Sequence, residues 1–106
     1  MKVMSARLDT LQSMLAHDPA NAFARYSLAM ELLNLGRAEE SVTEFRALLA
    51  VHPDYSYGYF HGGRALETLG REDEARRIYT DGVEAARAKG DGKALNELQA
   101  ALDILG

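Results

Sequence analysis

Apolar residues recur at three- and four-residue steps along most of the chain, interrupted at intervals by proline and glycine. That spacing places them on one side of an α-helix. Met4, Leu8, Leu11 and Leu15, with Met14 alongside, predict a first helix from about Lys2 to His17. Asp18-Pro19 ends it, because proline lacks the N–H to continue and disfavours a helical residue before it. Asn21 can cap a second helix running to about Leu35. Its apolar arc is wide. Leu28, Ala29, Leu32 and Leu35 form one face, and Phe23, Tyr26, Met30 and Leu33 form another. Only Ser27, Glu31 and Asn34 make a polar wedge, so this helix needs neighbours on two sides, or a ligand on one.

Gly36 fits the left-handed position after a helix end. A third helix is expected from about Ala38 to His52, with Val42, Phe45, Leu48, Leu49 and Val51 inward. Its first-turn acids, Glu39 and Glu40, complement the helix dipole. A fourth helix, about Tyr55 to Leu69, contains Gly58, Gly62 and Gly63. Each glycine costs roughly 1 kcal/mol against alanine in a helix interior, so local propensity alone would allow a loop. Gly70 closes this segment as Gly36 closes the second. A fifth helix runs from about Glu72 to Lys89, with Ala75, Ile78, Tyr79, Gly82, Val83 and Ala86 inward. After the Gly90-Asp91-Gly92 turn, a last helix spans about Lys93 to Leu105. Ala94, Leu95, Leu98, Ala101, Leu102 and Leu105 line one side of it, and Ile104 alone lies outside that arc. A one-sided helix at the end of a stack suits a solubilising cap.

The segment Leu32-Leu33-Asn34-Leu35-Gly36-Arg37-Ala38-Glu39-Glu40 returns 34 residues later as Leu66-Glu67-Thr68-Leu69-Gly70-Arg71-Glu72-Asp73-Glu74. The same offset relates Phe45 to Tyr79 and Pro19 to Pro53. A fixed period of this size marks stacked repeats that bury their apolar faces against one another. It is also the reason for reading the glycine-rich fourth segment as helix, since the offset places it opposite the second.

The pattern resembles the tetratricopeptide repeat, whose signature is W-x2-L-G-x2-Y, then A-x3-F, then P. In a first unit, Ala22 to Tyr55, the matching residues are Leu28-Ala29, Leu32, Ser41, Phe45 and Pro53, with Arg25 where an aromatic is usual. In a second, Ser56 to Lys89, they are Tyr59, Gly63, Leu66, Ala75 and Tyr79. There Gly62 replaces leucine and Arg87 replaces proline, which implies that the fifth helix overruns into Ala88-Lys89. Residues 1–19 match the second half of a unit, and residues 91–106 form the cap. The resemblance implies a single all-α domain, a short right-handed solenoid of about six helices. It implies protein binding through a concave groove lined by the first helix of each unit. Carried over by position, the groove residues are Phe23, Tyr26, Met30, Leu33 and Asn34, then Tyr57, Phe60, His61, Arg64, Glu67 and Thr68. In relatives that grip a terminal carboxylate, lysines and asparagines hold key groove slots. Here Tyr26, Met30, Phe60 and Arg64 stand there, so that grip is not expected.

Composition narrows the function further. The chain has 106 residues, a net charge of −4, no cysteine and no basic cluster. Nucleic acid is therefore not expected as a partner, and thiol chemistry is absent. No apolar run is long enough to span a membrane, and the N-terminus lacks a signal-peptide core, which leaves the cytoplasm as the default. Whether the chain is a fragment of a longer protein stays open. His17, His52 and His61 lack the clustered partners of a metal site, and Glu72-Asp73-Glu74 lacks the spaced oxygens of a calcium loop. No nucleophile–base pattern or phosphate loop is present, so neither catalysis nor a cofactor is expected. The expected function is a non-catalytic module that docks a peptide or helix of a partner protein on an aromatic groove. The alternative is self-association into a homo-oligomer. His61 either pairs with Arg64 to hold an anion or is simply solvated.

Overall fold

The computed structural model describes residues 5–106. Lys2 and Met4, assigned from the sequence to the first helix, lie outside the described residues. Six helices follow one another: α1 (Ala6–His17), α2 (Ala22–Asn34), α3 (Ala38–Val51), α4 (Ser56–Thr68), α5 (Glu72–Lys89) and α6 (Gly92–Leu105). No strand occurs among the described residues. The expected boundaries hold to within a residue at every end except the start of α1, and α5 does run on to Lys89.

The helix ends follow from local chemistry. Ser5, Asn21 and Asp91 each accept a hydrogen bond from the backbone N–H three residues on, opening α1, α2 and α6 and satisfying a donor the helix itself leaves orphaned. At the other ends Gly36, Gly70 and Gly90 adopt φ of 77°, 74° and 78°. The N–H beyond each reaches back along the helix: Arg37 to Leu32, Arg71 to Leu66 and Asp91 to Ala86, at 2.8–2.9 Å. The same left-handed closure thus ends three helices.

Each helix packs against the next in sequence, while α2 also meets α4 and α4 meets α6. Two layers result, α1, α3 and α5 outside and α2, α4 and α6 inside. Three clusters fill the space between them. Leu8, Leu11 and Leu15 join Leu28 and Leu32. Ala29 joins Phe45 and Leu48. Tyr59, Leu66, Tyr79, Val83 and Leu98 form the largest group. Val51, expected inward, is 59% exposed. It is the final residue of α3, and no core cluster reaches it.

The glycines of α4 have a packing role that propensity alone does not reveal. A Cβ on Gly63 would fall inside the Tyr79 ring, and a Cβ on Gly82 of α5 would lie 2.5 Å from the Tyr59 Cβ. Each helix therefore lends the other a glycine on which to seat a tyrosine. Gly58 is different, because its nearest neighbours would be the movable ends of Leu49 and Leu48, at 2.9 and 3.1 Å. Polar ties join the outer layer. Arg71 pairs with Glu74 and, at 2.8 Å, with Glu39, and Arg46 reaches Glu74 at 2.8 Å. Hydrogen bonds from Arg71 and Arg46 pull the Glu74 carboxyl down to about 2. The first-turn acids of α5 thus serve helix-to-helix pairing as well as the dipole.

Gly63→Ala is expected to destabilise by on the order of 3 kcal/mol, as overpacking does in a rigid site. Gly58→Ala should be near neutral, since its gain in helix propensity, about 1 kcal/mol, offsets a small shift of leucine methyls. Urea unfolding of both variants checks this, and equal losses would contradict the interlocked packing of α4 and α5.

Candidate functional site: the concave face

The inner layer presents the side chains that α2, α4 and α6 do not bury. Along it runs a string of rings. The Tyr26 centroid lies 6.2 Å from Phe45, 5.2 Å from Tyr55 and 5.9 Å from His61. His61 lies 5.1 Å from Phe60 in an edge-on contact, and Phe60 lies 6.5 Å from Tyr79. Tyr26, Tyr57, Phe60 and His61 are all half-buried. Tyr26, Tyr57 and Phe60 rest their inner edges on the core clusters and keep their outer edges in solvent.

The other residues assigned to the groove divide by what they touch. Phe23 is 67% exposed at one rim. Met30 leans on the Ala29–Phe45–Leu48 cluster. Leu33 packs onto the large cluster beneath the face, which is a supporting position. Asn34, Arg64, Glu67 and Thr68 are exposed. The Thr68 hydroxyl donates to the Arg64 carbonyl oxygen at 3.0 Å, and the Tyr79 hydroxyl donates to the Glu67 carboxylate at 2.5 Å.

Besides a small cavity of about 210 Å³ lined by Tyr26, Tyr55, Ser56, Tyr57, Lys89 and Asp91, two larger cavities open on this face. One, of about 450 Å³, lies between α4 and α6. Phe60, Tyr79, Ala100, Ala101 and Ile104 give it an apolar lining, and Arg64, Glu67 and Glu97 stand at its edge. The other, of about 350 Å³, lies between α1 and α2 and is lined by Arg7, Phe23, Tyr26, Ser27, Met30, Glu31 and Asn34. A larger depression of about 720 Å³ sits on the opposite side, between α3 and α5. Of its charged residues, Arg46 and Glu74 are already joined in the α3–α5 ion-pair network.

Burial raises the Tyr26 and Tyr79 phenols above their ordinary value. Neighbouring Tyr55 and Tyr57 add to the first shift, and the Glu67 carboxylate adds to the second. Both remain neutral donors at physiological pH. His61 goes the other way: burial lowers its pKa, and the Arg64 charge lowers it further. Its Nδ1 is buried without a hydrogen-bond partner. It is therefore a half-buried ring within the aromatic string rather than the simply solvated histidine expected from sequence. His17 and His52 cap carbonyls instead, those of Ser13 and Ala20, each at 2.9 Å. The contribution of α6 was missed. Its one signal was Ile104, the apolar residue off the main arc, which is 86% exposed. No group of residues that could hold a metal ion occurs among the described residues, and no helix among them is long and apolar enough to cross a membrane.

No protein-family model matches the chain. It is 30% identical over 91 residues to a TPR repeat-containing protein of Pseudomonas aeruginosa, covering 86% of this chain and 87% of that one. The solution structure of a tetratricopeptide repeat domain protein from Salinibacter ruber superposes with a TM-score of 0.78 at 40% identity, covering 83% of this chain and 89% of that one. The chain belongs to the tetratricopeptide repeat family. PcrH, solved in complex with the chaperone binding region of PopD, shares the fold with a TM-score of 0.86 at 17% identity, over 92% of this chain and 74% of PcrH. Domains of the tetratricopeptide repeat kind are generally protein–protein interaction modules.

The pH dependence of stability reports on His61. Its folded pKa lies below the ordinary value, so below about pH 6.5 the unfolded chain takes up a proton that the folded chain resists. Stability is therefore expected to fall as pH drops from about 7.5 to about 5.5, and His61→Leu should flatten part of that slope. Parallel slopes in thermal melts of the two proteins would show that the ring is solvated after all.

Proposed function

We propose that the chain is a non-catalytic docking module that takes a segment of a partner protein along the concave face of α2, α4 and α6. The observation that carries this reading is the ring string itself. Tyr26, Tyr57 and Phe60 are held in place by the core yet keep an edge in solvent, beside an apolar cavity of about 450 Å³. Rings fixed in this way offer contact area at little entropic cost, which is what interface anchors require. Phe23 at one rim and Ile104 at the other have no packing role that would account for their exposure. In PcrH, a chain of this fold is seen in complex with a region of another protein. In repeat terms, residues 22–55 and 56–89 are the two units, 1–19 is a half unit, and 91–106 is the cap that supplies the third wall of the groove.

Because Phe23 and Ile104 are exposed, Phe23→Ser and Ile104→Ser should leave the melting temperature within a few degrees of the parent. Both should weaken, by about tenfold or more, the binding of peptides selected on the wild-type chain. Sedimentation velocity should return a monomer of 11.6 kDa. A stable dimer that either substitution dissociates would favour self-association through this face and overturn the docking reading.

A further inference from the structure

Charges around the two cavities bear on the chemistry of the docked segment, an inference that rests on the concave face being the docking surface. In the α4–α6 cavity, Glu67 stands three residues after Arg64, the spacing at which opposite charges on a helix ordinarily pair. They do not pair here. The Tyr79 hydroxyl holds the Glu67 carboxylate instead, and no side-chain hydrogen bond or ion pair of Arg64 occurs among the described residues. The other acid at this cavity is Glu97 of α6. The α1–α2 cavity repeats the arrangement. Its one acid, Glu31, accepts from the Ser5 hydroxyl at 2.9 Å, and Arg7 has no side-chain partner among the described residues. Glu67 and Glu31 thus each accept from a hydroxyl of this chain, while no side-chain partner of Arg64 or Arg7 occurs among the described residues. Elsewhere on the chain most arginines are paired: Arg25 with Glu44, Arg46 and Arg71 with Glu74, and Arg76 with Asp73.

We infer that the segment docked on the concave face is acidic as well as apolar: an apolar side chain enters the Phe60–Tyr79–Ile104 cavity, and side-chain carboxylates pair with Arg64 and Arg7. A guanidinium presents a fixed fork of donors that a carboxylate fills in bidentate fashion. Glu67 and Glu31 already accept a hydrogen bond from a hydroxyl of this chain. The two arginines lie on opposite flanks of the α2–α4 pair. Neighbouring helix axes are about 10 Å apart, so the two cations are separated by roughly 20 Å, the reach of about six extended residues. One chain terminus could answer only one of them, which is why the carboxylates are assigned to side chains of a segment that runs through the groove.

The test is selection from a random library of about twelve residues, displayed as an internal segment with no free terminus, on the wild type and on Arg64→Gln and Arg7→Gln. Both arginines are exposed, so neither variant should lose its fold, and circular dichroism confirms that before selection. Wild-type peptides should combine Asp or Glu with a large apolar residue. Arg64→Gln should erase one acidic preference and Arg7→Gln the other. Wild-type peptides should bind each variant about tenfold more weakly at low salt, with the gap narrowing as salt rises. Enrichment of Lys or Arg, enrichment without charge, or an unchanged consensus in both variants would overturn the acidic assignment while leaving the docking reading intact. A consensus recovered only from peptides with a free C-terminus would overturn the side-chain assignment. Failure to enrich any peptide would count against the docking reading, and the acidic assignment would fall with it.

Discussion

Tyr79 rests its ring on the backbone of Gly63, and Tyr59 rests on Gly82 in return. That reciprocal seat between α4 and α5 sets the position of much of what surrounds it. It lets two helices with bulky inward rings approach closely, and it buries Tyr79 completely. A ring fixed there carries its hydroxyl to one place, the Glu67 carboxylate. Glu67 is thereby withdrawn from Arg64, and Phe60 is left against the outer edge of Tyr79. The chemistry of the α4–α6 cavity thus follows from two missing β-carbons.

The first repeat solves the same problem with different atoms. Ala29 stands where Gly63 stands, and Phe45 where Tyr79 stands. There Ala29 packs with Phe45 and Leu48 in one buried cluster, so a methyl group is accommodated where the second repeat has none. With no phenol hydroxyl available, the buried polar tie comes from Ser41, whose hydroxyl donates to the Ala29 carbonyl oxygen at 2.7 Å. A buried hydroxyl without a partner would cost on the order of 1–3 kcal/mol, so that bond matters to this position. The face above it is correspondingly less polar, with Met30 and Leu33 in the places that Arg64 and Glu67 occupy one repeat later.

Much of the fold was legible because helix ends and period are local signals. Pro19, Pro53, Gly36 and Gly70 punctuate the chain, and the 34-residue offset assigned α4 to a helix against its own propensity. Charge pairing between helices was not legible. Nothing in the spacing of Glu74 announces Arg46, 28 residues away. The groove was legible as a set of helix faces, but which members open to solvent depends on packing depth. Leu33 and Phe23 share a face on the wheel, yet one supports the core and the other stands in water. The overrun of α5 hid the contribution of α6. It shifts the start of the last helix relative to the strict period, from Gly90 to Gly92, so a carry-over by fixed offset does not reach Ala100 and Ile104.

The most direct measurement is an isotope-filtered NMR experiment on the labelled chain with a selected, unlabelled peptide. Docking on the concave face predicts cross-peaks from one apolar peptide side chain to the rings of Phe60 and Tyr79 and to the Ile104 methyls, with shifts confined to α2, α4 and α6. Cross-peaks to Leu49, Ile78 and Ala85 instead would place the ligand in the outer depression between α3 and α5, and the concave face would then not be the docking surface.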